Sequence, residues 1–152
     1  MVAVILVILY LVYNYVFLDS TSNVLYKGGN AKNAFMIKAN KLPGNPGTVD
    51  FTYSVWIYIK DWQYRYGTEK VIFNRNSGSE GTEYITMALA DSSNTLKVNL
   101  GINPKGQSTS MEVDNIPLQK WCHLLISTNN RAIDMYIDGK LVKTAEIGRA
   151  HV

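Results

Sequence analysis

The sequence has little cysteine and little histidine, and both shortages limit its chemistry. Cys122 is the only cysteine among 152 residues, so no intrachain disulfide is possible. We expect it to be a small buried hydrophobic side chain, because its neighbour His123 would face the opposite side of a strand and could not pair with it catalytically. His123 and His151 have no companion ligands at metal spacing, so a zinc site is not expected.

Charged residues are also few. They make up 18% of the chain and leave a formal net charge of +3, with no run of lysine and arginine interleaved with aromatic residues. A nucleic-acid partner is therefore not expected, and nothing in the sequence indicates a cofactor. The hydrophobic content of 47% favours a globular core with an apolar appendage over a disordered chain.

The apolar stretch at residues 2–18 contains no charged residue and carries tyrosines toward its C-terminal half. As a helix it would rise about 25 Å, close to the hydrocarbon thickness of a bilayer. A cleaved signal peptide would need a basic start and a small-residue cleavage site, and neither is evident. A buried core helix is the second alternative, but β-branched residues all round the helix and the lack of a polar face favour lipid. We therefore predict a single transmembrane helix at residues 1–18, which contacts a membrane through residues 2–18.

The charges that flank this stretch predict its orientation. No lysine or arginine precedes it, whereas four lysines and one aspartate follow it within residues 19–41. The positive-inside rule then places the folded domain on the cytoplasmic side. The absence of a cysteine pair and of any Asn-x-Ser/Thr sequon agrees with that side.

Residues 19–34 are polar and rich in glycine and asparagine, as in a tether, and residues 35–152 form the predicted domain. The predicted strands are residues 35–39, 49–59, 71–74, 84–90, 95–100 and 111–113, followed by three more within 121–144. Bulky residues on both faces of 49–59 predict a central strand covered on each side. No helical period appears after residue 18, so the pattern predicts an all-β antiparallel jelly-roll sandwich.

The stretch from Trp121 to Thr144 predicts three antiparallel strands joined by two tight turns. Asn129-Asn130 and Asp138-Gly139 supply residues that tolerate positive φ, as two-residue hairpin turns require. Alternate apolar residues from Ile133 to Ile137 share one face of the middle strand. A meander with one apolar face needs a second layer, which the rest of the chain should supply.

Three stretches resemble the concanavalin A-like lectin/glucanase superfamily, in particular its laminin-G-like branch: residues 51–59, 70–75 and 116–144. In such domains a tryptophan opens a strand that leads into a Y-x-[DN]-G-K hairpin, and here these are Trp121 and Tyr136 to Lys140. The resemblance covers about residues 33–147 and implies a concanavalin A-like jelly-roll sandwich. It implies little about function, because the superfamily includes lectins, glucanases, adhesion modules and structural proteins.

Glucanases of this superfamily carry a strand motif E-[ILV]-D-x-(x)-E, whose two glutamates act as nucleophile and acid/base from about 5 Å apart. The nearest stretch here begins with Glu112-Val113-Asp114, but Ile116 or Pro117 stands in place of the second glutamate. One carboxylate cannot supply both roles. We therefore predict no catalytic residues and interpret Glu112 and Asp114 as solvent-facing residues at a strand end.

The end of the sequence also departs from the family pattern. Domains of this type usually continue past the hairpin with a glycine-rich turn and closing strands, whereas this sequence ends in EIGRAHV. Either the natural chain is longer, or the sandwich has an exposed edge that something else must cover. Such an edge would be a docking site for a partner strand.

A polar aromatic loop is the candidate binding site. Its members combine stacking rings with hydrogen-bonding groups: Asp61, Trp62, Gln63, Tyr64, Arg65 and Tyr66. A sugar could stack on Trp62 or Tyr64, but the same composition marks protein–protein contacts. A third interpretation is a loop whose aromatic residues cap the sandwich.

Calcium is bound by many laminin-G-like and legume-lectin-like domains through clustered Asp and Asn residues on loops. The residues available here are Asp91, Asn94, Asp134 and Asp138. They form no contiguous calcium loop, so no metal site is predicted.

These expectations combine into a non-catalytic, membrane-anchored structural or interaction protein that contacts other proteins of an assembly. One protein of this kind would be a minor capsid protein that links the internal membrane of a large virus to its shell. The first alternative is a membrane-anchored, lectin-like module that binds glycans. The second, a glucanase-like hydrolase, is disfavoured because it lacks a second catalytic glutamate.

Overall fold

The structure is a computed structural model that describes residues 2–17, 24–42, 50–76, 83–101 and 108–146. Its contacts divide the chain into two units, Met1–Gly47 and Thr48–Val152. The predicted domain boundaries at residues 18/19 and 34/35 stay predictions, and the predicted C-terminal end at 147–152 lies outside the described residues.

The N-terminal unit contains the helix α1 (Val2–Phe17) and a 3₁₀ turn at Ala39–Lys41. A run of apolar residues interrupted only by Asn14, without glycine or proline, favours the helix. Among the described residues, no helix combines the length and apolarity that a membrane crossing requires, so the predicted transmembrane span is not supported. The predicted strand at residues 35–39 is wrong, because this stretch has no ladder partner and leads into the 3₁₀ turn.

The second unit is an antiparallel sandwich of two four-stranded sheets, which confirms the all-β prediction. Its strands are β1 (Phe51–Tyr58), β2 (Lys70–Asn76), β3 (Glu83–Leu89), β4 (Leu96–Gly101), β5 (Ser108–Val113), β6 (Trp121–Asn129), β7 (Ala132–Ile137) and β8 (Lys140–Glu146). Sheet A has the order β1-β6-β7-β8, and sheet B has the order β2-β3-β4-β5. The two-sheet arrangement is consistent with a jelly roll.

The core lies between the sheets because alternate residues of each strand point inward. Sheet A contributes Leu124, Ile126, Ile133 and Met135, and sheet B contributes Ile85, Met87, Leu96, Val98 and Met111, all buried. Each such side chain stabilises the fold by about 1.5–3 kcal/mol through burial. Cys122 lies in the same core, as predicted, and burial raises the pKa of its thiol above the ordinary value.

The meander of β6, β7 and β8 is confirmed. Asp138 and Gly139 have φ values of 49° and 76°, as a type I′ hairpin turn requires. The first turn lies one residue later than predicted: Asn129 pairs with Ala132, so the loop is Asn130-Arg131. Asn130 has φ 55°, which an asparagine side chain tolerates.

The predicted central position of the strand at residues 49–59 is wrong. The observed strand, β1, ends the described order of sheet A and pairs with β6. Its inward residues pack on the core, but its outward residues are exposed. The bulk on its outer face therefore does not indicate a covering layer.

Candidate binding face

The outer face of sheet A consists of four cross-strand rows. From one end of the strands to the other, the rows are Thr52–Ser127–Asp134–Thr144, Ser54–Leu125–Tyr136–Leu141, Trp56–His123 and Tyr58–Trp121. Successive rows lie about 6.6 Å apart, because every second residue of a strand points to the same face. The face therefore changes along the strands from hydroxyl and carboxyl groups to aromatic rings.

The aromatic end of this face consists of Trp56, Tyr58, Trp121 and His123, which we name the aromatic patch. The ring centroids of Trp56 and His123 are 4.8 Å apart, and those of Tyr58 and Trp121 are 5.6 Å apart. Trp56 is 61% exposed and Trp121 is 62% exposed. Rings of this size normally contribute to stability by being buried, so the patch presents an apolar surface that a partner could cover.

Asp138 ties the β7–β8 turn to the patch. Its Oδ1 accepts a hydrogen bond from the backbone N–H of His123 at 2.9 Å, and its Oδ2 accepts one from Lys120 Nζ at 3.1 Å. The backbone N–H of Asp138 donates to the His123 carbonyl oxygen at 2.9 Å. The hydrogen bond from His123, followed by that from Lys120, holds the pKa of Asp138 below its ordinary value. Asp138 therefore binds both the backbone N–H and the backbone carbonyl oxygen of His123, which fixes the position of His123 in its strand.

Ser54 and His123 resemble two members of a catalytic triad, since Ser54 Oγ lies 2.6 Å from His123 Nε2. A triad also needs a carboxylate on the second ring nitrogen of the histidine. Asp138 binds the backbone of His123 and Lys120, and Trp56 lies against the ring. The pair therefore presents an imidazole and a hydroxyl for hydrogen bonding to a bound group.

A shallow depression of about 350 Å³ lies in the middle of the four rows. It is lined by Thr52, His123, Leu125, Ser127, Tyr136 and Gly139. Thr52 Oγ1 and Ser127 Oγ are 3.1 Å apart, so the hydroxyl end of the face forms a surface hydrogen-bond network. The depression joins this network to the aromatic patch through His123.

The predicted binding loop divides into structural and exposed residues. Asp61 Oδ1 accepts hydrogen bonds from the backbone N–H groups of Gln63 at 2.9 Å and Tyr64 at 3.1 Å, which closes the turn. Trp62 is half-buried against the core, and Lys70 Nζ lies 5.0 Å from its ring centroid. The position of Trp62 fits the interpretation in which an aromatic residue caps the sandwich.

The remaining residues of this loop are exposed: Gln63, Tyr64, Arg65 and Tyr66. Arg65 adopts φ 51°, and the Tyr66 N–H donates to the Gln63 carbonyl oxygen at 3.2 Å. The Gly67 N–H donates to the Asp91 carbonyl oxygen at 3.0 Å, so the loop lies beside the β3–β4 connection. Its role in binding stays a prediction.

The carboxylates of the glucanase-like stretch have other partners. Glu112 Oε1 lies 3.6 Å from Lys97 Nζ in an ion pair. Asp114 Oδ1 accepts a hydrogen bond from Thr95 Oγ1 at 2.7 Å. Ile116, near the position of the second glutamate of the motif, is 1% exposed and belongs to the core. A glutamate at that position would bury a charge without a partner.

The candidate calcium ligands are also dispersed. Ser92 Oγ donates to Asp91, and Thr144 Oγ1 donates to Asp134 at 2.6 Å. Within the described ranges, no group of three His, Cys, Asp or Glu side chains is arranged to hold a metal ion. His151 lies outside those ranges.

The aromatic patch was not recognised from the sequence. The pattern placed Trp56 and Tyr58 on a face expected to be covered, and it treated Trp121 only as the residue that opens a strand. The signal was present as large aromatic residues at alternate strand positions. The patch arises only when β1 pairs with β6, far along the chain, and one sequence does not reveal that register.

The comparison with known families agrees with this architecture. The laminin-G-type model of the concanavalin A-like lectin/glucanases superfamily matches residues 27–151. No curated protein matches the chain. Because the family match covers most of the sequence and the structure shows two packed antiparallel sheets, the chain belongs to the concanavalin A-like lectin/glucanase superfamily.

Proposed function

We propose that this protein is a non-catalytic, membrane-associated structural component that docks another protein on the outer face of sheet A. The exposure of Trp56 and Trp121 in one contiguous patch carries this proposal. Tryptophan and tyrosine dominate the binding energy of protein interfaces, and charged residues are depleted at interface centres. Asp134, at the hydroxyl end, is the one charged carboxylate in the four rows, and the aromatic patch itself contains no lysine, arginine, aspartate or glutamate, in agreement with such a centre.

The expected energetics are those of a small hot spot. A tryptophan ring buries roughly 150–250 Å² when covered, which at about 25 cal/mol per Å² corresponds to several kcal/mol before ordering costs. The ring contacts within the patch reduce the side-chain freedom that binding would remove. Removing either tryptophan is expected to weaken docking at least about 30-fold, in the range of hot-spot residues.

The absence of catalysis in this proposal is supported by the two places where catalysis would be sought. Near the glucanase-like stretch, Ile116 fills core space in place of a second carboxylate. Beside Ser54 and His123, Asp138 is engaged by Lys120 and by a backbone N–H. A minor capsid protein between an internal viral membrane and its shell is one structural component of the proposed kind, and this narrower hypothesis stays a prediction.

Glycan binding on the same face is the second candidate. The depression favours it, because hydroxyl groups from three strands surround an apolar floor beside aromatic rings. A sugar would stack on a ring of the patch and exchange hydrogen bonds with Thr52, Ser127 and Tyr136. Both candidates use the aromatic patch, but the glycan would in addition use the hydroxyl groups that line the depression.

Oxidative footprinting tests the docking proposal. Hydroxyl radicals should oxidise Trp56 and Trp121 rapidly in the purified full chain and slowly in its native membrane or particle fraction, with half-buried Trp62 as the internal reference. Equal oxidation in both states would overturn protein docking.

Matched variants extend the test. In the native fraction, Trp56→Ser with Trp121→Ser should remove the protection of Tyr58, the remaining tyrosine of the patch, from oxidation, whereas Lys97→Ser with Glu112→Ser on sheet B should not. Saturable binding on a glycan array that the tryptophan variant loses, without any protection in the native fraction, would establish the glycan candidate in place of protein docking.

A further inference from the structure

The net charge of this protein belongs to one part of the chain. Residues 1–47 hold four lysines and one aspartate, whereas residues 48–152 hold 11 basic and 11 acidic residues. The sandwich unit is therefore formally neutral, and the whole net charge of +3 belongs to the N-terminal unit. A negatively charged partner would therefore be expected to bind the N-terminal unit.

Within the N-terminal unit, apolar and basic residues are also separated. The side chains of α1 from Val4 to Tyr13 are all exposed, between 51% and 66%, and none is charged. The described segment 24–42 contains exposed lysines and no acidic residue. These lysines are Lys27, Lys32, Lys38 and Lys41.

We propose that the N-terminal unit binds a lipid surface with anionic headgroups. In this arrangement α1 enters the acyl region, where its exposed apolar side chains leave water. The lysines of residues 24–42 contact the headgroups, and each strengthens binding about fivefold near an anionic surface. An apolar insertion combined with a basic patch supplies the two signals that stable membrane attachment requires.

The described part of α1 is 16 residues long, about 24 Å as a helix, which is enough to place its exposed apolar side chains in the acyl region. A neutral protein groove could accept α1 but would give the four lysines no counter-charge, whereas an anionic headgroup layer uses both features. This inference specifies the membrane association of the proposed function, but it concerns a different surface from the aromatic patch and does not depend on protein docking there.

Vesicle flotation with the purified full chain tests the inference. The protein should float with vesicles of phosphatidylcholine and phosphatidylserine, and far less with phosphatidylcholine alone. Replacing the four lysines of residues 24–42 with glutamine should weaken binding to the anionic vesicles by up to several-hundred-fold at low salt. Added salt should weaken binding of the unmodified chain, because it screens surface charge within about 10 Å.

The control variant removes the same charge from the sandwich: Lys60→Gln, Lys97→Gln, Lys140→Gln and Lys143→Gln. This variant should bind anionic vesicles as strongly as the unmodified chain, because binding depends on where the lysines lie and not on the total net charge. A second variant, Leu6→Asp with Leu9→Asp, should reduce binding to both vesicle types because it places charge on α1. Equal flotation with both vesicle types, equal losses in the two lysine variants, or no flotation at all would each overturn the inference.

Discussion

The two sheets of the sandwich share one kind of inner face but differ on their outer faces. On sheet B, outward residues form the rows Val71–Ala88–Lys97–Glu112 and Asn74–Thr86–Asn99–Ser110. These rows hold mostly small side chains and one ion pair. Thr86 and Ala88 are buried, whereas Val71, Asn74 and Ser110 are exposed. The outer face of sheet A instead exposes clustered aromatic rings.

This difference favours the outer face of sheet A as the candidate binding face. Folding requires only that each sheet bury its inner face, and both sheets satisfy that requirement with similar aliphatic and methionine residues. Folding gives no reason to place exposed tryptophans on sheet A alone. The sheet B face therefore serves as an internal control for every statement about the patch.

The sharpest test of the inner–outer distinction uses two adjacent leucines of β6. Leu124→Ala should lower the free energy of unfolding by about 2–5 kcal/mol, because Leu124 is fully buried and leaves a cavity. Leu125→Ala, on the outer face and only partly buried, should lower it less, by about 1–2 kcal/mol. Urea unfolding of both variants gives the comparison, and equal losses would contradict the assigned register of β6.

The β7–β8 turn should have the next largest effect. Gly139→Ala is expected to cost about 1–2 kcal/mol, because the residue has φ 76° while no atom lies within 4 Å of an added Cβ. The penalty is thus conformational and not steric. Gly139→Asn should recover much of the loss, since asparagine tolerates this conformation. A full loss with asparagine would show that φ is not the cause.

The tryptophans of the patch should contribute little to stability but strongly to surface hydrophobicity. Trp56→Ser with Trp121→Ser should change the free energy of unfolding by about 1 kcal/mol or less, because both rings are exposed. The same variant should elute much earlier in hydrophobic-interaction chromatography. Val71→Ser with Tyr84→Ser, which removes exposed apolar residues of sheet B, should change retention less. Equal changes in retention for the two variants would contradict a difference in hydrophobicity between the outer faces of the two sheets.

The smallest expected effect is on how stability depends on pH, and it comes from replacing Asp138. Because the folded-state pKa of Asp138 lies below its ordinary value of 3.8, its contribution to stability is present above that pH and is lost as the pH falls through the folded value. Asp138→Asn should flatten the dependence of urea midpoints on pH between about pH 5 and pH 3. Asp91, whose pKa is lowered chiefly by the Ser92 hydroxyl, provides the matching substitution near sheet B. An unchanged profile for Asp138→Asn would contradict its role at the turn.

The sequence predicted the parts of the fold that depend on local patterns. Alternation predicted the core faces of β6 and β7, and Asp138-Gly139 predicted its turn because positive φ is a local requirement. The edge position of β1 was not predictable, because bulky side chains outline a strand without showing whether anything covers it. The strand at residues 35–39 failed for the same reason, since strand formation depends on a distant partner.

The candidate site was predicted less well than the fold. The loop at residues 61–66 attracted attention because its aromatic residues are adjacent in sequence, but Trp62 packs on the core. The patch joins residues from β1 and β6, which meet only in the folded sheet. Local composition therefore favoured the loop, and strand pairing produced the patch.

The order of the four rows gives the outer face of sheet A a direction. Hydroxyl groups occupy one end and indole rings the other, so a ligand turned by 180° in the plane of the sheet would meet the wrong chemistry at both ends. A partner must therefore be polar at one end and apolar at the other, and it must arrive in a single orientation. In an assembly built through this face, each subunit would therefore have one fixed orientation relative to its partner.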